Sequence, residues 1–158
     1  MLKLKVYFFF KRFLDILLSI TFIVISFIPM SLIFIIFILS QNGSFLHWSK
    51  RVGINNKIFL MPKIRTMKLN TPDLATHLLN DNKSYVTKFG KILRKTSLDE
   101  IPQLYSVLIG DMTLIGPRPA LFNQYDLIKY RTRKNIHSLK PGITGLAQIK
   151  GRDILSIE

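Results

Sequence analysis

Cysteine is absent from this chain, so no disulfide framework, thiol nucleophile or thiolate metal site is open to it. Histidine is scarce: His47, His77 and His137 are scattered without ligand spacing, which assigns them to surface or packing roles and leaves oxygen as the main donor for any metal. Acid is in short supply as well, with 9 Asp and Glu against 23 Lys and Arg and a net charge of +14 over 158 residues. The chain shows no internal repeat and no low-complexity tract.

Charge is missing altogether from Ile16 to Leu39, a run of 24 residues. As one helix it would measure about 36 Å at about 1.5 Å per residue, which belongs in a bilayer. It exceeds the apolar core of a cleaved signal peptide, about 7 to 15 residues, and no small-x-small cleavage site follows it. Pro29 divides the run into arms of 13 and 10 residues. These are roughly 20 and 15 Å long, and neither alone crosses about 30 Å of hydrocarbon. Lys3, Lys5, Lys11 and Arg12 precede the run, and Lys50, Arg51, Lys57, Lys63 and Arg65 follow it. Basic residues favour the cytoplasmic side, so both ends are pulled to the same face. Two readings stand on the residues alone: a re-entrant hairpin bent at Ser26 and Pro29, or an ordinary spanning helix with a proline kink whose freed carbonyl is satisfied by Ser26.

Past residue 40 the chain carries 19 Lys and Arg against 8 Asp and Glu. An excess of that size implies an anionic partner, and a phospholipid or a nucleotide fits better than nucleic acid, because no helix-turn-helix, zinc-finger or RNA-recognition pattern is present. Gln41-Asn42-Gly43-Ser44 supplies turn residues at the exit from the apolar run. Phe45 to Met67 reads as short strands around a turn at Gly53-Ile54-Asn55-Asn56, with Ile58 to Met61 a strand stopped by Pro62. Lys68 to Lys88 is polar, with a helix start at Thr71-Pro72-Asp73 and a loop at Asn80-Asp81-Asn82.

The candidate site lies at Lys95-Thr96-Ser97-Leu98-Asp99-Glu100, ahead of Gly116-Pro117-Arg118-Pro119. One reading of these acids is local: Ser97 as N-cap and Glu100 at N3 form a capping box, from which Leu98, Ile101, Leu104, Tyr105 and Leu108 run as the core face of a helix ended by Gly110. The other reading is chemical. Lys91, Arg94 and Lys95 precede the acids and Arg118 is fixed between two prolines, and carboxylates among cations are what a diphosphate with Mg²⁺ needs. One carboxylate can attack phosphorus while its neighbour binds the metal.

Several ordered motifs resemble the small monotopic phosphoglycosyl transferases, the bacterial sugar transferase family. They are Lys11-Arg12-Phe13-Leu14-Asp15, Arg51-Val52-Gly53, Lys63-Ile64-Arg65-Thr66-Met67, Leu93 to Glu100, Gly110 to Pro119, and Lys140-Pro141-Gly142-Ile143-Thr144-Gly145-Leu146-Ala147-Gln148. The resemblance implies an α+β, mostly helical fold: a re-entrant anchor over residues 1–40, broken at Pro29, and a small cytoplasmic catalytic domain over 41–158. It implies transfer of a sugar-1-phosphate from a UDP-sugar to polyprenol phosphate at the bacterial inner membrane, with release of UMP. Asp99 would be the nucleophile and Glu100 the Mg²⁺ ligand. Arg94, Arg118, Lys63 and Arg65 would bind diphosphate or lipid phosphate, and Gln148 and Arg152 would shape the nucleotide side. Self-association, or association with the glycosyltransferases that act next, follows from the same likeness. Pro62, Leu146 and Lys150 depart from the family's usual aromatic residue, Trp and Asn. The family also continues some tens of residues past the position of Gly151-Arg152-Asp153, so a shortened remnant or membrane-bound interaction module is the alternative expectation.

Overall fold

The computed structural model of the chain describes residues 2–40, 43–69, 71 and 85–149. The expected helix start beyond Thr71, the loop at Asn80-Asp81-Asn82, and Gly151 with Arg152 lie outside the described residues.

The apolar run folds as α1, Leu2–Ser40, a 39-residue helix with Pro29 inside it. Helical assignment continues through Pro29. A proline at 29 leaves the Ile25 carbonyl without its N–H partner. Ser26 does not fill that gap, since its hydroxyl donates to the Ile23 carbonyl at 3.2 Å.

Burial along α1 follows the helical period. Asp15, Ser19, Ile33 and Phe37 are buried, and Arg12, Ser26 and Met30 are half-buried. Their spacing of three, four or seven residues places them on one stripe. The rest of the surface is apolar and open, with Phe27 at 69% and Ile28 at 72% exposure. An exposed apolar surface of this extent is of the kind that lipid covers, and by length and composition α1 is long and apolar enough to cross a membrane.

After the anchor, β1 (Leu46–Val52) and β2 (Ile58–Ile64) form an antiparallel ribbon with Ser49 opposite Met61 and Lys50 opposite Leu60. The turn falls where the sequence predicts it, with Asn55 at φ 54° and Asn56 at φ 60°, the left-handed region that asparagine tolerates. Pro62 does not stop β2, which runs on to Ile64. A two-stranded ribbon has only edges, and a proline whose missing N–H faces away from its partner breaks no rung.

Helix α2 (Lys88–Thr96) opens on Thr87, whose hydroxyl accepts from the Gly90 amide at 2.9 Å. Gly90 presses α2 against the preceding segment: a Cβ there would lie 2.1 Å from the Thr66 carbonyl oxygen. A 3-10 turn over Leu98–Glu100 follows, then α3 (Gln103–Ile109), ended by Gly110 at φ +96°.

Strand β3 (Thr113–Ile115) pairs in parallel with β4 (Gly142–Thr144), and α4 (Tyr125–Arg133) lies between them in sequence. The short helix α5, Leu146–Ile149, comes last.

Two apolar clusters hold the elements together. Ile33 of α1, Ile64 of β2 and Leu93 of α2 form one, with Met30, Phe45, Phe89 and Leu98 packed around it. Phe45 meets Phe34 and Phe37 edge-on at ring distances of 5.1 and 5.2 Å, the geometry aromatic quadrupoles favour. Met61, Val107 and Met112 form the second cluster, against Phe59, Leu114 and Ile143.

Candidate active site

The capping box foreseen at Ser97 does not form. Ser97 adopts a left-handed conformation, φ 58°, as the C-cap of α2, and its hydroxyl caps nothing in the turn that follows. The reason is Pro102: in a helix started at Leu98 its ring would strike the Leu98 carbonyl and it has no N–H to offer. The chain therefore makes one tight turn at Leu98–Glu100 and restarts at Gln103. The left-handed residue and the short turn together aim the Glu100 side chain away from the backbone and into a ring of cations.

That ring draws on three elements. Lys63, near the end of β2, places Nζ 3.2 Å from Glu100 Oε1. Arg118, in the loop after β3, places Nη1 3.7 Å from the same oxygen. Arg94, on α2, donates through Nε to the Thr66 hydroxyl at 2.9 Å and acts electrostatically on Asp99. Asp99 is buried, at 7% exposure. Loss of water raises its carboxyl above the usual range; Lys63 opposes that shift, Glu100 adds to it and Arg94 opposes it. Burial likewise lowers the Lys63 ammonium below its usual value, against the pull of Glu100.

Two backbone contacts fix the Arg118 loop. The Gly116 amide donates to the Thr144 carbonyl and the Gly142 amide to the Pro117 carbonyl, each at 2.9 Å. Side chains are excluded where these segments touch: a Cβ on Gly142 would lie 2.1 Å from Gly116 N, and one on Gly145 2.2 Å from Gly116 O. Main chain thus packs directly on main chain at the base of the loop.

Beside Glu100 opens a cavity of about 350 Å³ with two kinds of wall. Phe22, Ile25 and Ser26 of α1 form one side, with Ile101 and Leu104 beneath; Ser97, Glu100, Thr144 and Gln148 supply the polar edge. Gln148 donates through Nε2 to the Ile143 carbonyl at 3.1 Å, and its buried Oε1 has no hydrogen-bond partner among the described residues.

The sequence-predicted residues Asp99, Glu100, Lys63, Arg94 and Arg118 therefore gather in one place, with Ser26 and Gln148 on the adjoining cavity. Arg65 is directed elsewhere: its guanidinium is bonded to the Ser44 carbonyl at 2.9 Å and hydroxyl at 2.7 Å, beside the exit from α1. Pro29 lies in α1, and Arg152 is outside the described residues.

Two supporting arginines were not foreseen. Arg51 acts electrostatically on Lys63 and donates to the Pro119 carbonyl at 3.2 Å. Arg131 of α4 donates to the Arg118 carbonyl at 2.6 Å. The first was within reach of a period-two argument, since Arg51 opposite Phe59 shares a face with Lys63 opposite His47. Nothing local marks Arg131.

Asp99 and Glu100 offer the hard oxygen donors that Mg²⁺ selects, and Mg²⁺ sites commonly use one or two carboxylates completed by phosphate oxygens and water. Among the described residues no three metal-ligating side chains cluster. The pair accordingly fits a metal whose coordination is completed by a substrate.

Comparison with known proteins points the same way. A family model described as bacterial sugar transferase matches residues 6–158. The galactosyl transferase CpsE of Streptococcus agalactiae is 40% identical over 155 residues, covering 90% of this chain and 34% of the relative. The undecaprenyl-phosphate galactose phosphotransferase of Salmonella typhimurium is 35% identical over 161 residues, covering 92% of this chain and 33% of the relative. The UDP-glucose:undecaprenyl-phosphate glucose-1-phosphate transferase of Escherichia coli is 43% identical over 118 residues, covering 72% and 25%. The chain thus spans about a third or less of the length of these three relatives. These matches assign it: the chain belongs to the bacterial sugar transferase family of phosphoglycosyl transferases.

Proposed function

We propose that this protein transfers a sugar-1-phosphate from a UDP-sugar to polyprenol phosphate at the cytoplasmic face of a bacterial inner membrane. The observation that carries the reading is a carboxylate pair, buried Asp99 and half-buried Glu100, ringed by Lys63, Arg94 and Arg118 and opening on a cavity walled by the apolar α1. Cations suit a diphosphate donor, and a hydrocarbon wall suits a lipid acceptor. The relatives' names, which mention UDP-sugars and undecaprenyl phosphate, agree.

In this reading an Asp99 oxygen attacks the phosphorus that bears the sugar. The bond from that phosphorus to the bridging oxygen breaks, and UMP leaves with the bridging oxygen and its electron pair. An oxygen of polyprenol phosphate next attacks the same phosphorus and displaces the Asp99 carboxylate, which returns as the free ion. Lys63, Arg94 and Arg118 bind the phosphate oxygens and neutralise charge as it builds. Glu100, with Asp99 alongside, would hold Mg²⁺, which supplies further neutralisation of the diphosphate when bound. Gln148 and Arg152 are assigned to the nucleotide side, and Arg65, braced by Ser44 at the anchor exit, to the lipid side.

The anchor is proposed to enter and leave through one face of the bilayer. Asp15 and Ser19 sit before Pro29 and Ile33 and Phe37 after it, on a single stripe buried against the rest of the protein. From Ser19 to Phe37 an unbroken helix rises about 27 Å, most of the hydrocarbon thickness. A perpendicular span would drag the packed domain and its charges into lipid, whereas a bend at Pro29 leaves the domain outside.

The deciding experiment is UMP release from a panel of UDP-sugars by the purified chain with Mg²⁺ and polyprenol phosphate, beside Asp99→Asn. Release that requires Asp99 is expected. Equal release from the variant would remove Asp99 as nucleophile, and no release by folded protein from any donor would overturn the assignment.

A further inference from the structure

We infer that Arg12 and Asp15 of α1, with Thr113 of β3, are positioning residues that hold the membrane anchor in register with the reacting groups and so serve the lipid-acceptor step selectively. The inference rests on the two-step reading above.

Arg12 reaches out of the anchor to the end of α3, where Nη1 donates to the Val107 carbonyl at 2.6 Å and Nη2 to the Leu108 carbonyl at 2.7 Å. These carbonyls lie in the last turn of the helix, where a cation meets the negative end of the dipole; the Val107 carbonyl also accepts from the Gly110 amide at 3.1 Å. Helix α3 starts three residues after Glu100, so the grip is on the element that follows the acid pair directly.

Asp15 grips the second element. Its carboxylate accepts from the Thr113 hydroxyl at 2.6 Å and from the Leu114 amide at 3.1 Å, and Lys11 pairs with Asp15 at 3.4 Å while also donating to Thr113. Strand β3 runs from Thr113 straight into the loop that presents Arg118. The anchor is therefore bonded separately to the element that continues from the acids and to the one that leads to the arginine.

This arrangement touches the two substrates differently. A UDP-sugar arrives from water and meets the cations wherever the domain sits. The acceptor phosphate is tied to a chain dissolved in the bilayer, so its height is set by the lipid, and only the anchor sets the height of Asp99 against it. A misplacement of about 1 Å can cost about 10²-fold in rate.

Asp15→Asn and the gentler Thr113→Val test this in lipid nanodiscs. We expect the KM for polyprenol phosphate to rise or the transfer rate to fall by about tenfold or more. Isotope exchange between UMP and UDP-sugar without lipid should remain within about threefold, and Thr113→Ser should restore transfer. Equal loss in both half-reactions, or no loss in either, would overturn the inference. Should the wild-type chain show no exchange, the two-step reading fails and the steady-state KM values for donor and acceptor decide the clamp on their own. A readout independent of turnover uses the absence of cysteine: spin labels at Ile20→Cys and Tyr125→Cys should give one narrow distance that broadens with Asp15→Asn. An unchanged distribution would count against the clamp even in a chain inactive toward every donor tried.

Discussion

Asp99 is buried and Lys63 half-buried beside it, and each is pushed toward its neutral form by loss of water. In the proposed reaction Asp99 attacks as the carboxylate, so transfer should rise with pH through an Asp99 pKa above the usual carboxylate range. It should decline again as Lys63 loses its proton below the usual lysine range; a rate–pH profile narrowed on both sides is the expected result. The same burial has a stability consequence. A carboxyl whose folded pKa is raised stabilises the protein at low pH and loses that contribution as pH rises through the folded pKa. Asp99→Asn should therefore abolish transfer yet raise the melting temperature near neutral pH, with the gain shrinking in acid. Arg118→Lys tests the ring differently: Arg presents a planar, two-pronged donor and Lys a single point, so a loss of about 10² to 10³-fold in transfer is expected, with unfolding unchanged. At this scale most of the site was legible, because acids beside cations are uncommon in a chain with 9 acidic residues. The geometry was not. Capping and catalysis both lay claim to Glu100, and Pro102, by denying the helix, leaves Glu100 free to meet Lys63 and Arg118.

Among the elements, α2 is the one with least room. Gly90 lies against Thr66, and the same Thr66 hydroxyl accepts from Arg94 one turn further on. Gly90→Ala would drive a Cβ into the Thr66 carbonyl, and over-packing of that kind costs about 1 to 3 kcal/mol. Thermal unfolding should show the loss, and UMP release should fall with it because Arg94 shifts together with the helix. The elements that period-based reasoning could see were those with local signals: the apolar run of α1, the Gly-Asn turn between β1 and β2, the glycine that ends α3. The β3–β4 pairing carried no such signal. Each strand is three residues long and the partners are separated by α4, so their register depends on glycines meeting at a distance rather than on any pattern within either segment.

For the molecule as a whole, the question is which side of the membrane each end of α1 occupies. Cysteines introduced at Lys3 and at Lys50 in this cysteine-free chain can be labelled with a membrane-impermeant reagent from either side of sealed vesicles. Both should react from the cytoplasmic side and from that side alone; labelling from opposite faces would replace the hairpin with a span. Charge bias at both flanks favours the hairpin without excluding a kinked span, and the single buried stripe of α1 is the structural argument for the proposed topology. The docking of that stripe could not be foreseen, because the Lys11 to Asp15 motif names Asp15 without its partners, and only the fold brings Thr113 and the Leu114 amide to it.

The contact among Gly116, Gly142 and Gly145 changes how a saturation-mutagenesis map of this protein should be interpreted. All three positions should reject every replacement as firmly as Asp99 does, although the contacts that exclude a side chain there are with other backbone segments. Intolerance at those three columns would measure the clearance between backbones, and a map read as a catalogue of catalytic groups would place its strongest signals on residues that perform no chemistry.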